Sequence, residues 1–233
     1  MHRLFLLFLV LVFPFSSFSQ ETMNQTDGNG KKQGLWKKCD SLGHLVYEGF
    51  FKNNIPVDTF RYYYPSGQIK TISVFSNEGR RATITSFFPN GQHMACGHYL
   101  EEKKDSLWRF FSETDGSMVS EEFYVDGKKD GVSKIFYPDG VQAEVSTWKN
   151  GIMDGLSEQY YSDGKIKLRL SYMDGEKNDA CSTWFMSGKL MITGKYYQGH
   201  PDGHWIFYNE QGEIIKTEDY QKGELLQTSE PAK

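Results

Sequence analysis

This chain has few cysteines and no excess of positive charge. The three cysteines, Cys39, Cys96 and Cys181, are an odd number at irregular spacing, so the sequence predicts no framework of paired disulfides. Two alternatives are left, one isolated pair or three small apolar residues packed in strands. Lys and Arg number 26 against 30 Asp and Glu, and nucleic-acid binding requires clustered positive charge. We therefore expect no nucleic-acid partner.

Catalytic signatures are also missing from the sequence. It contains no Gly-x-Ser-x-Gly elbow, no His-Glu-x-x-His pair and no phosphate-binding loop. Glu121 and Glu122 are adjacent carboxylates, but neighbours in a strand face opposite ways and cannot share a substrate atom. We therefore expect no enzymatic activity, no catalytic residues and no cofactor.

Two histidine clusters and a row of aspartates are the patterns that suggest a metal. Cys96 and His98 share a strand face in residues 93–98, but His93 does not, so three ligands do not converge on one tetrahedral point. Residues 200–204 hold a second histidine pair in a loop. Equivalent loops lie about 10 Å apart, too far for one calcium ion with oxygens at about 2.4 Å to bridge the aspartates Asp130, Asp154, Asp179 and Asp202. We expect no metal site.

Long apolar runs are confined to the N-terminus. A short basic start precedes the apolar residues 4–15, and small residues follow at Ser17 and Ser19. This layout predicts a secretory signal peptide at residues 1–19, cleaved after Ser19. The stretch is shorter than the roughly 20 apolar residues that a membrane span needs. We expect an exported protein, either periplasmic or secreted.

Glycine recurs with a fixed period. Eight glycines are spaced 24 residues apart, with one step of 25: Gly43, Gly67, Gly91, Gly116, Gly140, Gly164, Gly188 and Gly212. The residue eight places after each is aromatic: Phe51, Phe75, Tyr99, Tyr124, Trp148, Tyr172, Tyr196 and Tyr220. Such a period is typical of an array of stacked repeats. The array is predicted at residues 34–223, after a flexible polar linker at 20–33 and before a tail at 224–233.

Each repeat is predicted to be a β-hairpin. Turn signals separate segments of about seven to nine residues, which is strand length and too short for helical repeats. Apolar and polar side chains alternate through residues 165–172, as in a strand with one apolar face. Pro-x-Gly after an aromatic, as in residues 64–67, predicts a three-residue hairpin loop. The reversals between units are expected to be slightly longer.

The predicted fold class is all-β, an elongated single twisted antiparallel sheet of tandem β-hairpin repeats. Short connections favour antiparallel neighbours, because a parallel return needs a crossover of a dozen residues or more. About eight units of 24 residues give up to about 16 strands. A parallel β-helix is the alternative, and the Pro-x-Gly hairpins argue against it. A propeller would need a period near twice this one.

The unit resembles the MORN repeat, and more closely the bacterial MORN-variant repeat. Gly-x-Trp occurs at residues 34–36 and 203–205, and an aromatic pair before Asp-Gly occurs at residues 160–164. Departures replace the tryptophan with Ser133 and Ser157, and its glycine with Ser106 and Ala180. The resemblance implies a binding or scaffolding platform; some members are proposed to contact membranes and some are labelled antitoxin components. An export signal fits poorly with an antitoxin-like role against a cytosolic toxin.

We expect an exported, non-enzymatic platform in the cell envelope that binds a protein or peptide. Adjacent aromatics must point to opposite faces of a strand, so one face packs while the other exposes rings. The candidate binding residues are the second aromatics of each pair: Tyr64, Phe88, Tyr137, Tyr161 and Phe185. Alternatives are envelope glycan or lipid binding through the aromatic rows, and self-assembly, such as a homodimer through sheet edges.

Overall fold

The computed structural model describes residues 22–231, and the predicted signal peptide lies outside the described residues. Within this range the chain contains no helix, and hence none that could cross a bilayer. The described residues form 19 strands: β1 Gln25–Thr26, β2 Lys32–Cys39, β3 Leu45–Lys52, β4 Ile55–Tyr63, β5 Ile69–Ser76, β6 Arg81–Phe87, β7 His93–Leu100, β8 Lys103–Phe111, β9 Met118–Val125, β10 Lys128–Lys129, β11 Gly131–Phe136, β12 Gln142–Lys149, β13 Ile152–Tyr160, β14 Ile166–Met173, β15 Glu176–Trp184, β16 Leu190–Tyr197, β17 His200–Tyr208, β18 Ile214–Gln221 and β19 Glu224–Ser229.

All the strands belong to one open antiparallel sheet. Each strand pairs with the next along the chain, with one exception. The two-residue β10 and the following β11 both pair with β9, and β11 also pairs with β12. Among residues 22–231, β1 pairs only with β2 and β19 only with β18. The predicted fold class is confirmed. The strands outnumber the estimate because β1 and β10 are very short and because residues 224–229, expected in a tail, form β19. The expected linker at residues 20–33 contains β1 and the start of β2.

The hairpin loop inside each unit is as predicted. Gly67 donates its N–H to the Tyr64 carbonyl at 2.9 Å, and Tyr64 donates its own to the Gln68 carbonyl at 2.9 Å. Gly67 has φ of 86°, in the left-handed region that glycine enters without a Cβ penalty. This is the hydrogen-bond pattern of a three-residue hairpin loop.

All but one of the reversals between units are shorter than predicted; the exception is the four-residue loop at residues 77–80 between β5 and β6. Val125 pairs with Lys128, so the loop holds only Asp126 and Gly127, with φ of 51° and 80°. Positive φ at both residues is the signature of a two-residue type I′ turn, whose twist matches that of the strands. The prediction of slightly longer loops was wrong because the polar residues after the glycine belong to the next strand.

A β-bulge recurs fifteen residues after most of the repeat glycines, where the pairing with the preceding strand shifts. The residue there has positive φ whether or not it is glycine: 113° at Gly155, 60° at Ser106 and 68° at Asp179. The glycine of the Gly-x-Trp motif therefore serves the bulge. Asp179, and not Ala180 as the sequence suggested, takes its place in that unit.

Candidate binding surfaces

One face of the sheet, here called the packed face, carries a ladder of buried side chains seventeen residues after each repeat glycine except the last, Gly212, where Ser229 is exposed. Phe60, Trp108 and Trp205 are its main rings and expose only 2%, 3% and 7% of their surface. The aromatics eight residues after the glycines flank them edge-on: centroids lie 5.1 Å apart for Phe51–Phe60, 5.3 Å for Phe60–Phe75 and 5.1 Å for Tyr99–Trp108. The periodic aromatics therefore act mainly as packing groups.

Each of these three rings lies directly on a glycine of the preceding strand, six residues after the repeat glycine. A Cβ added to that glycine would fall within 2.2 to 2.4 Å of the ring, in the pairs Gly49 with Phe60, Gly97 with Trp108, and Gly194 with Trp205. Units without such a ring carry a larger residue at the glycine position, as in the pairs Ser73 with Ile84, Glu122 with Ser133, Ser146 with Ser157, and Leu170 with Cys181. The two positions complement one another in volume.

Lysine side chains cover some of the ladder rings. The Lys104 ammonium lies 4.7 Å from the Trp108 ring centroid and 4.8 Å from that of Tyr124. Lys32 lies 4.7 Å from the Trp36 centroid. These are cation–π distances, and burial lowers the pKa of Lys104. The ammonium groups therefore close the outer side of the ladder in these units.

A carboxylate, Glu122, lies within the packed face beside Tyr124. Lys129 donates to one oxygen of Glu122 at 2.8 Å and the Tyr124 hydroxyl to the other at 2.5 Å. Burial acts to raise the pKa of Glu122, but these two hydrogen bonds outweigh it and the pKa is lowered. Burial and the bond to Glu122 raise the pKa of Tyr124. Glu121 faces the other way, as strand alternation predicts, and pairs with Arg109 at 2.8 Å.

A groove of about 580 Å³ opens in the packed face across strands β3 to β7. Its lining is mainly aromatic and includes Phe51, Phe60, Phe75 and Tyr99. Tyr47, Pro56, Tyr62, Gly79, Ala82 and Ile84 complete the uncharged lining, and Arg80 and Glu102 are its charged residues. This volume is typical of ligand-binding clefts.

The groove exists because one unit lacks its ladder ring. Ile84 occupies the position that Phe60 and Trp108 hold in the neighbouring units. Phe75 and Tyr99, which would flank a ring at this point, have only Ala82 and the shorter isoleucine between them, since both pair with Ala82 across adjacent strands. The groove is therefore a vacancy in an otherwise regular aromatic ladder.

The cation that covers the ladder is also displaced at the groove. Arg80 stands at the position of Lys32 and Lys104, thirteen residues after the repeat glycine. Its guanidinium pairs with Glu101 at the rim, and no contact to a ring is recorded for it among residues 22–231. The groove is consequently open on the side that ammonium groups cover elsewhere.

The opposite face carries a row of apolar side chains, here called the open-face row. Register pairs Leu35 with Phe50 and Leu107 with Phe123 across adjacent strands. Its members are Leu35, Phe50, Val74, Leu107, Phe123, Val132 and Leu156. The exposed fractions reach 38% for Phe50, 41% for Phe123 and 48% for Val132. Because residues 22–231 form a single sheet, no second layer of these residues covers the row.

Ion pairs run beside the open-face row. Lys37 meets Glu48 at 3.0 Å, and Arg169 meets Glu158 at 2.8 Å. The Tyr160 hydroxyl donates to Glu158 at 2.6 Å. This hydrogen bond and that of Arg169 lower the pKa of Glu158, while the bond to Glu158 and burial raise the pKa of Tyr160 to about 12. The row is thus apolar with a charged margin.

The five second aromatics, predicted to bind a partner, lie at the hairpin turns and are half-buried. Their hydroxyls connect successive units: Tyr64 donates to the Phe87 carbonyl at 2.8 Å, Tyr137 to that of Tyr160 at 2.8 Å, and Tyr161 to that of Trp184 at 2.7 Å. Phe88 and Phe185 occupy the same position without a hydroxyl. Strand alternation does not direct these side chains, because each follows the end of its strand. They form a line along the side of the sheet where the three-residue hairpin loops lie.

The histidine and cysteine clusters do not converge. The His93 ring packs 5.0 Å from the Phe87 centroid, whereas His98 contacts Thr83 at 3.2 Å. All three cysteines are unpaired: Cys39 is exposed, Cys96 half-buried and Cys181 buried. Within residues 22–231 no group of three or more His, Cys, Asp or Glu side chains is placed to hold a metal ion.

The aspartate row has a structural role at the turns between units. Asp130 accepts a hydrogen bond from the Asn150 amide at 3.0 Å, and Asp202 from the Lys222 amide at 3.1 Å. Asp154 contacts the Asp174 amide at 3.4 Å. In the remaining unit Asn178, rather than Asp179, occupies this position. Each side chain thus caps the turn of the next unit.

The fold and its two faces define a single-layer hairpin-repeat protein built around an aromatic ladder. The family model of the MORN repeat variant matches residues 59–77 and 153–174. Each match covers most of one hairpin unit, namely its first strand, its three-residue loop and its second strand. Residues 59–77 and 153–174 are therefore MORN-variant repeats, and these matches support the resemblance that the sequence suggested.

Wider comparisons show little similarity to known proteins. No curated protein matches the chain. Among solved structures, the crystal structure of TarM is 16% identical over 40% of this chain and 20% of that chain, with a TM-score of 0.29. The Photorhabdus luminescens Tc holotoxin pore is 10% identical over 80% of this chain and 11% of that chain, with a TM-score of 0.22. The chain spans a fifth or less of these structures, and the likeness indicates nothing about function.

Sequence reasoning missed both the groove and the open-face row. The signal for the groove was Ile84, an aliphatic residue at a ladder position that is aromatic in the units on both sides. The signal for the row was the recurrence of apolar residues seven after the repeat glycine, as at Phe50, Val74 and Phe123. Both require the repeats to be aligned position by position.

Proposed function

We propose that this chain is an exported, non-enzymatic repeat protein that binds a protein or peptide partner in the cell envelope. The open-face row carries the proposal. Exposed apolar patches with a polar margin are typical of interaction sites, and here the apolar members of the row, separated in places by Thr59, Thr83 and His98, extend over several strands. The export component is supported by the sequence of residues 1–19 alone.

The chemistry of the row favours a protein partner. Its aliphatic and phenylalanine side chains offer area for burial at about 25 cal/mol per Å². The adjacent ion pairs, such as Lys37–Glu48 and Arg109–Glu121, offer both signs of charge and would orient a partner more than they add to its affinity. The engagement of Glu121 and Glu122 in ion pairs supports binding over acid–base catalysis.

The test is capture of the partner from the envelope of the producing cell, followed by measurement of its Kd with the purified chain. Phe50→Ser/Phe123→Ser is expected to raise the Kd at least tenfold without changing the circular dichroism spectrum. Leu42→Ser/Met186→Ser is the matched control, because both residues are exposed apolar side chains at hairpin loops. Equal affinity of the two double variants would refute the proposal. Retention of the chain on envelope polysaccharide instead of protein would favour the glycan alternative.

Self-association through a sheet edge is a second candidate. Among residues 22–231, β19 pairs on one side only, and Leu225 and Leu226 are 49% and 58% exposed. An unpaired strand edge is a template for pairing with another chain. Light scattering over a range of concentrations tests this: Leu226→Lys should dissociate any oligomer, and a chain that stays monomeric at high concentration removes the candidate.

A further inference from the structure

We propose that the groove across strands β3 to β7 binds one aromatic side chain of the partner, with a basic residue next to it. The inference rests on the proposed function and assigns it a second, chemically specific contact on the packed face. It starts from the vacancy at Ile84.

The ladder defines the shape of the occupant. In the intact units a ring inserts edge-to-face between two flanking rings, as Phe60 does at 5.1 Å from Phe51 and 5.3 Å from Phe75. Trp205 repeats this arrangement at 5.1 Å from Tyr196 and 6.3 Å from Tyr220. Aromatic pairs prefer such geometry, which gives them stabilisation beyond that of burial alone.

At the groove Phe75 and Tyr99 flank a position that has no ring, because Ala82 and Ile84 lie between them. Each already packs edge-on against a ring on its other side, Phe60 and Trp108. An incoming indole or phenol ring would complete the contacts that the neighbouring units make internally. A branched aliphatic side chain would fill part of the volume without the edge-to-face contacts.

Polar groups in the lining suit an amphipathic ring. The Tyr47 and Tyr62 rings lie 6.0 Å apart, and their hydroxyls have no hydrogen-bond partner among the described residues. Burial raises the pKa of Tyr62, so it stays a neutral donor. These hydroxyls are available to the polar tip of a tryptophan or tyrosine.

Charge complementarity selects the neighbour of the ring. Arg80 is neutralised by Glu101, and no ion pair is recorded for Glu102 within residues 22–231. The charge that the lining presents is therefore negative. The ammonium that covers ladder rings elsewhere is absent here, so a cation from the partner can occupy its place over the rings.

The first experiment measures binding of three dipeptide probes to the purified chain by saturation-transfer NMR and calorimetry. The probes are the N-acetylated amides of lysyl-tryptophan, lysyl-leucine and glutamyl-tryptophan. Lysyl-tryptophan is expected to bind at least tenfold more tightly than lysyl-leucine and about threefold more tightly than glutamyl-tryptophan. Equal binding of the tryptophan and leucine probes would overturn the inference, as would displacement of the tryptophan probe by a cell-wall oligosaccharide.

Two variants locate the site. Ser73→Gly/Ile84→Trp installs the glycine and ring that Gly97 and Trp108 supply in the next unit, so it should fold with an unchanged or higher Tm and lose probe binding at least tenfold. Glu102→Lys alters only an exposed rim residue and should reverse the preference to glutamyl-tryptophan. Glu176→Lys, at an exposed residue of β15, is its control. Undiminished probe binding by Ser73→Gly/Ile84→Trp, or an unchanged probe preference in Glu102→Lys, would refute the site. If Ser73→Gly/Ile84→Trp does not fold, the result for Glu102→Lys alone decides.

The outcomes separate this inference from the proposed function. If the probes fail to bind while Phe50→Ser/Phe123→Ser still weakens the partner, the groove assignment falls and the open-face row stands. If the probes bind as expected while that double variant does not change the affinity for the partner, the groove assignment stands and the open-face row falls.

Discussion

At the scale of single residues, volume complementarity explains the ladder better than hydrophobicity does. A ring seventeen residues after the repeat glycine is accompanied by glycine at position six, because the ring lies flat on the backbone of the preceding strand. Where the ring is replaced by serine, as at Ser133 and Ser157, position six holds Glu122 and Ser146. Close packing makes such paired positions sensitive to a single methyl group.

Gly97→Ala is expected to destabilise the chain by about 1–3 kcal/mol through overpacking. The added Cβ would lie 2.4 Å from the Trp108 ring, and the ring is only 3% exposed, so neither side can move freely. Urea unfolding measures the loss. Gly28→Ala is the control, because a Cβ there meets nothing within 4 Å; equal effects of the two substitutions would contradict the packing argument.

Two buried serines should respond to alanine with opposite signs. Within the described residues the Ser133 hydroxyl has no hydrogen-bond partner, so Ser133→Ala should stabilise the chain by about 1 kcal/mol by removing an unsatisfied group. The Ser146 hydroxyl accepts a hydrogen bond from Trp148 Nε1 at 3.0 Å, so Ser146→Ala should cost about 1 kcal/mol. Thermal denaturation of both variants checks this, and a shared sign would show the hydrogen-bond assignment to be wrong.

At the scale of strands and turns, the sequence was informative wherever one residue type has one conformational consequence. Pro-x-Gly predicted the three-residue loops because proline presets φ and glycine accepts the left-handed region. The two-residue reversals were harder to predict, because the polar residues after the glycine belong to the next strand and because one reversal, Glu101–Glu102, adopts φ of 50° and 64° without any glycine. There the twist of the paired strands overrides the local preference.

Acid should weaken the contact between β13 and β14. The Tyr160 hydroxyl and Arg169 lower the pKa of Glu158 below its ordinary 4.5, so the stabilisation is present above pH 4.5 and is lost as the pH falls through the lowered value. Glu158→Gln should therefore cost about 0.5–1 kcal/mol at pH 7 in low salt. The difference from the parent chain should shrink as the pH falls below 4.5 in urea titrations at several pH values; a difference independent of pH would contradict the ionic origin.

The candidate surfaces were harder to predict than the fold. The period of the sequence identifies each ladder position. The groove, however, depends on the volume that the side chain of Ile84 leaves empty between the strands on either side of it. The tyrosine hydroxyls at Tyr64, Tyr137 and Tyr161 bond to the next unit, a contact 23 residues away that strand alternation cannot foresee. The 24-residue period predicts which residues pack against one another in neighbouring units, but it does not predict where that packing leaves a groove.

At the scale of the whole molecule, the packed face is divided into two apolar clusters. One is centred on Ile84, Trp108 and Tyr124, and the other on Leu170 and Trp205. The buried ladder residues between them are Ser133, Ser146 and Ser157. Because each unit of such an array contacts only its neighbours, stability is a sum of local terms. The segment that contains Ser133, Ser146 and Ser157, here called the serine segment, is therefore expected to be the least stable part of the array.

Urea should unfold the molecule in two steps, with the two clusters losing structure at different concentrations. Hydrogen exchange measured by mass spectrometry should give different opening free energies for β5–β9 and β14–β18. Ser146→Gly/Ser157→Trp places a glycine and ring in the serine segment, between Trp148 and Tyr172, and should bring the two transitions together. It sacrifices the hydrogen bond from Trp148, so a gain in cooperativity would have to come from ring packing. A single transition in the parent chain, with uniform exchange across both clusters, would mean that backbone pairing alone transmits stability through the serine units.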